Sequence, residues 1–247
     1  MPGVDFDSSG QLAFIEHQLA GHIAEFTPPW SATSATQYHL ENGLFSGGDA
    51  DLLYAMVRRF KPARMLEFGA GFSTLVAACA VEANWREGRE TRLISYDPYA
   101  IPPARGEVPG LAELRALSAE DVPRGDYEQL QPDDIVFIDS SHTVRVGGDV
   151  VQLITEVLPR LAPGVIVHLH DIYLPWHYPR RWVAHNRWYW AEQYLLQALL
   201  CDSRSWEVMI AAHALSRLHA AELERLIPNL RGAPAPLSFW IRRVGAR

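Results

Sequence analysis

Three short stretches of the chain carry residue types whose spacing could do chemistry. The first is Glu67-Phe68-Gly69-Ala70-Gly71-Phe72-Ser73-Thr74, which lies between an apolar run and a helical one. Glycines there let the backbone turn tightly and approach a ligand closely. The helix that follows offers free N–H groups and a positive dipole end, so a carboxylate or phosphate could sit against it. The second stretch is Asp139-Ser140-Ser141-His142 and the third is His170-Asp171. An imidazole titrates near neutrality and can take a proton from a hydroxyl, and a nearby carboxylate can orient it. His142 or His170 is therefore a candidate base, with Asp139 or Asp171 to orient it. A divalent cation is the other possibility. Oxygen-rich ligation suits magnesium, whereas the histidines favour a softer metal.

The glycine stretch narrows the ligand. A dinucleotide site usually shows a third glycine or alanine three residues after the second glycine, where this chain has Thr74. A phosphate-binding P-loop needs a Gly-Lys-Ser/Thr ending, which is missing. A third class has an acid two residues before the first glycine, and Glu67 stands there. Glu67-x-Gly69-x-Gly71, with Asp97 closing the next apolar run, resembles the first motifs of class I S-adenosylmethionine-dependent methyltransferases.

A narrower resemblance spans Gly43 to Trp240. Its marks are Asp134-Ile-Val-Phe-Ile-Asp139-Ser-Ser-His142, Leu158-Pro159, Pro163-Gly164, His168-Leu-His170-Asp171-Ile172, Pro175-Trp-His-Tyr-Pro179 and Trp190-Ala-Glu192-Gln193-Tyr194. These are similar to the methyltransferase type 24 subfamily. The resemblance implies S-adenosylmethionine as cofactor. Gly69, Gly71 and Ser73 would lie against it, Glu67 near its amino acid part, Asp97 on the ribose hydroxyls, and Asp139 beside it. Some small-molecule O-methyltransferases resemble this layout with acids after strands four and five binding magnesium. Asp139 and Asp171 match those acids, but Ile172 stands where a third oxygen ligand is typical, so no metal is expected.

The elements that must position these residues follow from periodicity. Leu12, Ile15, Leu19, Ile23 and Phe26 repeat at helical spacing over residues 11–26. Residues 27–47 read as loop, and a helix follows over 49–60. Short apolar runs at 64–68, 92–96, 113–117, 135–138, 165–169, 207–211 and 238–242 read as strands. Helices are expected over 73–85, 150–161, 187–201 and 213–226. Such alternation predicts an α/β fold, a doubly wound, seven-stranded and mostly parallel sheet with a helical N-terminal extension. Ligands of such sheets bind beyond the carboxyl ends of the strands, and Asp97, Asp139, His170 and Asp171 are all strand-terminal. One domain over 1–247 is expected, with 1–48 as the extension. Residues 172–190, with Trp176, Trp182, Trp188 and Trp190, read as an aromatic insertion over the active face.

Bulk properties bound the function. The chain has 247 residues, 48% of them hydrophobic, which is enough for a sizeable core. Its formal charge of -7 and its short basic pairs, Arg180-Arg181 and Arg242-Arg243, argue against a nucleic-acid partner. Cys79 and Cys201 form no Cys-x-x-Cys and are expected to be buried free thiols. With no basic-then-apolar N-terminus and no long apolar run, the expected location is cytoplasmic, away from membranes. His168 is expected to be a hydrogen-bonded core residue and His142 and His170 to sit at loop mouths. Glu192 is left open between a buried structural acid and a substrate contact. The reading reached is methyl transfer to a small-molecule oxygen, hydroxyl or carboxylate. The rivals are an inactive S-adenosylmethionine-binding partner subunit and an NAD-dependent oxidoreductase.

Overall fold

The computed structural model describes residues 1–245. The chain begins with helix α1 (Ser8–Phe14), which runs through a π-helical turn (Ile15–Leu19) into α2 (Ala20–Glu25). After a loop, α3 (Gly47–Phe60) leads into the alternating part: β1 (Arg64–Phe68), α4 (Phe72–Arg86), β2 (Arg92–Tyr96), the short α5 (Pro102–Arg105), β3 (Leu111–Arg115), α6 (Arg124–Glu128) and β4 (Ile135–Ile138). Next come α7 (Asp149–Gln152), continued by irregular turns to Arg160, then β5 (Ile166–Leu169), α8 (Glu192–Leu200), β6 (Trp206–Ala211), α9 (Ala212–Leu218), α10 (Ala220–Leu226) and β7 (Phe239–Arg243).

The seven strands form one sheet in the order β3-β2-β1-β4-β5-β7-β6. β1, β2, β3, β4 and β5 pair in parallel, while β7 is antiparallel to both β5 and β6. The chain steps from β1 outward to β3, then crosses back to place β4 on the other side of β1. Ligands of open α/β sheets sit at such a reversal. Helices cover both faces, so β4 and β5 are buried along their whole length; β4 is an unbroken apolar run and β5 is interrupted only by His168.

Two large apolar clusters fill the two faces. One joins Ile15, Leu19 and Ile23 to α3, α4 and the sheet, and the other gathers Leu66, Phe68, Val136, Ile138 and Val167 with the α7 region. The N-terminal helices thus pack on the sheet layer. Arg58 of α3 adds a polar tie, because its buried guanidinium bonds Glu25 of α2 at 2.6 Å and also reaches Asn84 of α4 and Glu87 just past its end. Gln11 Oε1 accepts from the backbone N–H of Ala211 at 2.7 Å, pinning α1 to the end of β6.

Four readings of the sequence need correction. β3 lies two residues earlier than expected, at Leu111–Arg115. It is an edge strand, half-buried, with a register shift between Leu93 and Ile94, so its apolar pattern is weak. α8 starts at Glu192 rather than near 187, because Trp188 and Trp190 belong to the aromatic packing of the preceding loop. Cys79 and Cys201 are exposed, not buried. His168 is buried as expected, but neither ring nitrogen has a hydrogen-bond partner; the ring packs between Phe137 and Trp240.

Candidate functional site

Four site residues are placed by one device, the last rung of the sheet. Gly69 N–H donates to Tyr96 O at 3.0 Å, Asp97 N–H to Arg115 O at 3.0 Å, Asp139 N–H to Phe68 O at 2.8 Å and His170 N–H to Ile138 O at 2.9 Å. Each is the first residue past its own strand, and each is held by the final carbonyl of the neighbouring strand. The parallel ladder therefore fixes their backbones along one edge before any side chain contact is made.

Gly69 has a φ of +96°, and an added Cβ would lie 1.8 Å from the carbonyl oxygen of Asp139. No other residue type fits there, which is why the loop after β1 can press against the end of β4. Beneath the loop, Glu67 is fully buried. It accepts from Ser73 Oγ at 2.7 Å, Thr74 Oγ1 at 2.7 Å and Ser95 Oγ. Burial pushes its carboxyl up to about 7, and those three hydroxyls oppose the shift. Glu67 therefore holds the glycine loop, α4 and β2 together from below. It does not line the cavity above, where it was expected near the amino acid part of a cofactor.

That cavity, of about 250 Å³, is lined by Gly69, Gly71, Ser73, Asp97 and Asp139, together with Leu44, Phe45, Ile101, His170 and Asp171. Five of the six residues expected at the cofactor thus border one space, at the N-terminus of α4. Asp97 braces the loop as well, because Oδ2 accepts from Ala70 N–H at 2.9 Å and Oδ1 from Tyr99 N–H at 2.6 Å. Each carboxylate oxygen still has a lone pair for a ligand hydroxyl.

A second cavity, of about 650 Å³, adjoins the first and shares Leu44, His170 and Asp171 with it. Three tryptophans of the insertion, Trp182, Trp188 and Trp190, border it. So do Trp30 and the loop 228–237, stretches that carried no chemical signal in the sequence because they read as plain connections.

The two candidate histidines separate sharply. Both are 5% exposed rather than open at loop mouths. His142 borders neither cavity. Its Nδ1 lies 2.8 Å from Glu192 Oε2, and its Nε2 lies 3.2 Å from Asp139 Oδ1 and 3.5 Å from Asp171 Oδ2. Burial opposes its positive charge, but the hydrogen bonds to Asp139 and Glu192 outweigh burial and hold its pKa well above the ordinary value. His142 is therefore a protonated strut. His170 makes no side-chain hydrogen bond and borders both cavities. Burial would lower its pKa, yet the charges of Asp139, Asp171 and Asp49 raise it overall. Asp139 in turn is held down at about 2: burial opposes this, and the His170 and His142 rings beside it prevail.

His142 and Asp171 both have positive φ, 56° and 57°. Such backbone is uncommon outside glycine and gathers at functional sites. Here it turns both side chains back toward Asp139. The carbonyl of His142 accepts from Ala191 and Glu192 N–H, at 2.8 and 3.2 Å, so the start of α8 holds that turn. Asp139, His142 and Asp171 could together hold a metal ion, each offering one atom within 4.8 Å of the others. The third donor is thus His142, three residues after Asp139, and not the residue after Asp171.

Residues 66–172 match a family model described as a methyltransferase domain. No curated protein matches the chain. An O-methyltransferase from Bacillus cereus in complex with SAH is 13% identical, with a TM-score of 0.47, covering 94% of this chain and 91% of its own. A Haemonchus contortus phosphoethanolamine N-methyltransferase 2 in complex with S-adenosyl-L-methionine is 12% identical, with a TM-score of 0.48, covering 96% and 60%. At such identities the assignment rests on the matched segment and the strand order. No helix among the described residues is long and apolar enough to cross a membrane. The glycine loop at its start and the acids after β2 and β4 all fall within the matched segment: residues 66–172 are similar to a methyltransferase domain.

Proposed function

We propose that this protein methylates a hydroxyl oxygen of a small molecule, with His170 as the base. The observation that carries this reading is that the two cavities meet at His170 and Asp171. When bound, S-adenosylmethionine supplies a methyl group on a cationic sulfonium, open to in-line attack. Gly69, Gly71 and Ser73 give the cofactor a close backbone approach at the head of α4, and Asp97 accepts from its ribose hydroxyls. His170 takes the proton of the acceptor hydroxyl at the junction, and Asp139 and Asp171 stabilise the imidazolium that forms. His142, clamped by Glu192, holds those two carboxylates in place.

Electrostatics favours a hydroxyl over the other acceptors. Asp97, Asp139 and Asp171 border the cofactor cavity. They attract a sulfonium, repel a carboxylate acceptor, and keep an amine protonated and without a free electron pair. The test is transfer of a labelled methyl from S-adenosylmethionine to a panel of phenols, carboxylic acids and amines. A base-stable ether is the expected product; a base-labile ester or an N-methyl product rejects the oxygen assignment.

A second reading has one observation in its favour. His142 presents Nε2 to two carboxylates while Nδ1 meets a third, the arrangement of a metal-bound histidine and its outer partner. Two carboxylates and one imidazole suit manganese or another transition metal better than magnesium. We expect turnover to survive EDTA, because the His142 cation already balances these acids. Loss of turnover on chelation, with rescue by manganese or magnesium, would make Asp139, His142 and Asp171 ligands.

A further inference from the structure

The larger cavity carries more apolar surface than positioning a lone hydroxyl requires, and its makeup bears on what the acceptor is. Trp188 and Trp190 stack at 18° with centroids 5.0 Å apart, and Trp182 meets Trp190 edge-on at 5.0 Å. Interlocked in this way, the rings hold one another in a fixed surface. Trp190 also lies 4.3 Å from the His142 ring, which ties that surface to the reacting end. Trp188 remains 41% exposed and Trp30 66% exposed, an unusual cost for such side chains unless something covers them. Another part of the lining, Ala233-Pro234-Ala235, has only short side chains.

The carboxylate of Asp49 and the amide of Asn229 are already committed, while Arg231, which also lines the cavity, is exposed. Asp49 Oδ1 accepts from Leu237 N–H, Ser238 N–H and Ser238 Oγ, and its Oδ2 accepts from Ser46 Oγ. Asn229 Nδ2 donates to Asp51 at 2.9 Å. Away from His170 and Asp171 the space therefore offers aromatic faces without a free anion and with Arg231 in the lining, so a cation would rest on cation–π contact alone against a like charge, whereas a neutral ring can stack freely. Its volume of about 650 Å³ is also several times the roughly 150 Å³ that holds one benzene.

Building on the methyl-transfer reading above, we propose that the acceptor is a neutral planar aromatic of two or more fused rings. Its ring faces lie on Trp182, Trp188 and Trp190, and its hydroxyl reaches His170. Aromatic stacking then supplies the affinity and the histidine selects the reacting oxygen. An aliphatic chain of the same volume would lose the ring–ring term, and a quaternary ammonium ion lying on the tryptophans would find no carboxylate away from Asp171.

The experiment is calorimetry and tryptophan fluorescence on the full chain, with and without S-adenosylhomocysteine. The probes are 2,3-dihydroxynaphthalene, decanediol and choline. The expected result is dihydroxynaphthalene binding at least about tenfold tighter than decanediol, with no saturable binding of choline. Trp188→Ala, at a partly exposed position, should weaken dihydroxynaphthalene by about two- to tenfold, with its melting temperature and its affinity for S-adenosylhomocysteine unchanged. Decanediol or choline binding as tightly as the naphthalene, or Trp188→Ala and Trp182→Ala both binding it like the wild type, would overturn the proposal. Failure of S-adenosylhomocysteine to bind would instead sink the methyl-transfer reading, and ring binding without it still decides the cavity.

Discussion

His142 Nδ1 and Glu192 Oε2 lie 2.8 Å apart although fifty residues separate them in the chain. The pair ties the loop after β4 to the first turn of α8 and aims Nε2 of the imidazole at Asp139 and Asp171. Glu192 has no exposed surface, so it is a buried carboxylate whose charge is answered by His142. Removing one partner of a buried ion pair leaves the other uncompensated, typically at a cost of about 3–5 kcal/mol. Glu192→Leu is therefore expected to lower stability in urea unfolding by that order. Glu192→Gln, which keeps a hydrogen-bond acceptor for Nδ1–H, should lose less. Equal stability of wild type and Glu192→Leu would show that the pair does not hold the site together.

The two histidines should fail in different ways. His170→Ala is expected to lower turnover by about 10²–10⁴-fold while the fold and cofactor affinity stay near wild type. His142→Ala should lower the melting temperature as well as turnover, since it leaves Asp139, Asp171 and Glu192 facing one another. Single-turnover rates beside thermal melts make the comparison. Full turnover in His170→Ala would remove it as the base.

Asp97→Ala is expected to weaken S-adenosylmethionine by on the order of 1–3 kcal/mol, through lost hydrogen bonds to a charged acceptor. The side chain also holds Ala70 N–H, so part of the loss comes through the glycine loop. Asp97→Asn, which keeps one carbonyl oxygen, should fall between the two. Calorimetry with S-adenosylmethionine and with NAD decides it: tight NAD binding in the wild type would reject the cofactor assignment.

Asp51 gives a pH dependence outside the site. Burial raises its pKa from the ordinary carboxylate range to about 8, with Asn229 opposing the shift and Asp49 adding to it. A carboxyl with a raised pKa in the folded state binds more protons folded than unfolded. Its contribution is thus most favourable at acid pH, and stability falls as pH rises from about 4 to about 8. Asp51→Asn should remove that slope and raise the melting temperature at pH 8, by about 2–4 °C for each kcal/mol recovered. Melts from pH 5 to pH 9 that run parallel for the two proteins would contradict it.

Four of the five parallel strands could be placed from the sequence because each is a short, largely apolar run buried by the layers around it. β1, β2 and β4 fall on the expected residues, and β5 is within one. The acids after β2, β4 and β5 could be read for the same reason, since a strand end locates its neighbour in space as well as in sequence. β3 was misplaced because an edge strand is only half-buried and carries little pattern.

What the tertiary structure alone decided was which side chains meet. His142 and His170 look equivalent in sequence, one polar residue near each strand end. Only the chain reversal at His142, with its φ of 56°, and the arrival of Glu192 from α8 make one a strut and leave the other free between two cavities. Glu67 likewise reads as a ligand contact, yet three hydroxyls brought from α4 and β2 take its oxygens. Periodicity reports burial along one segment at a time, and a site is made of distances between segments.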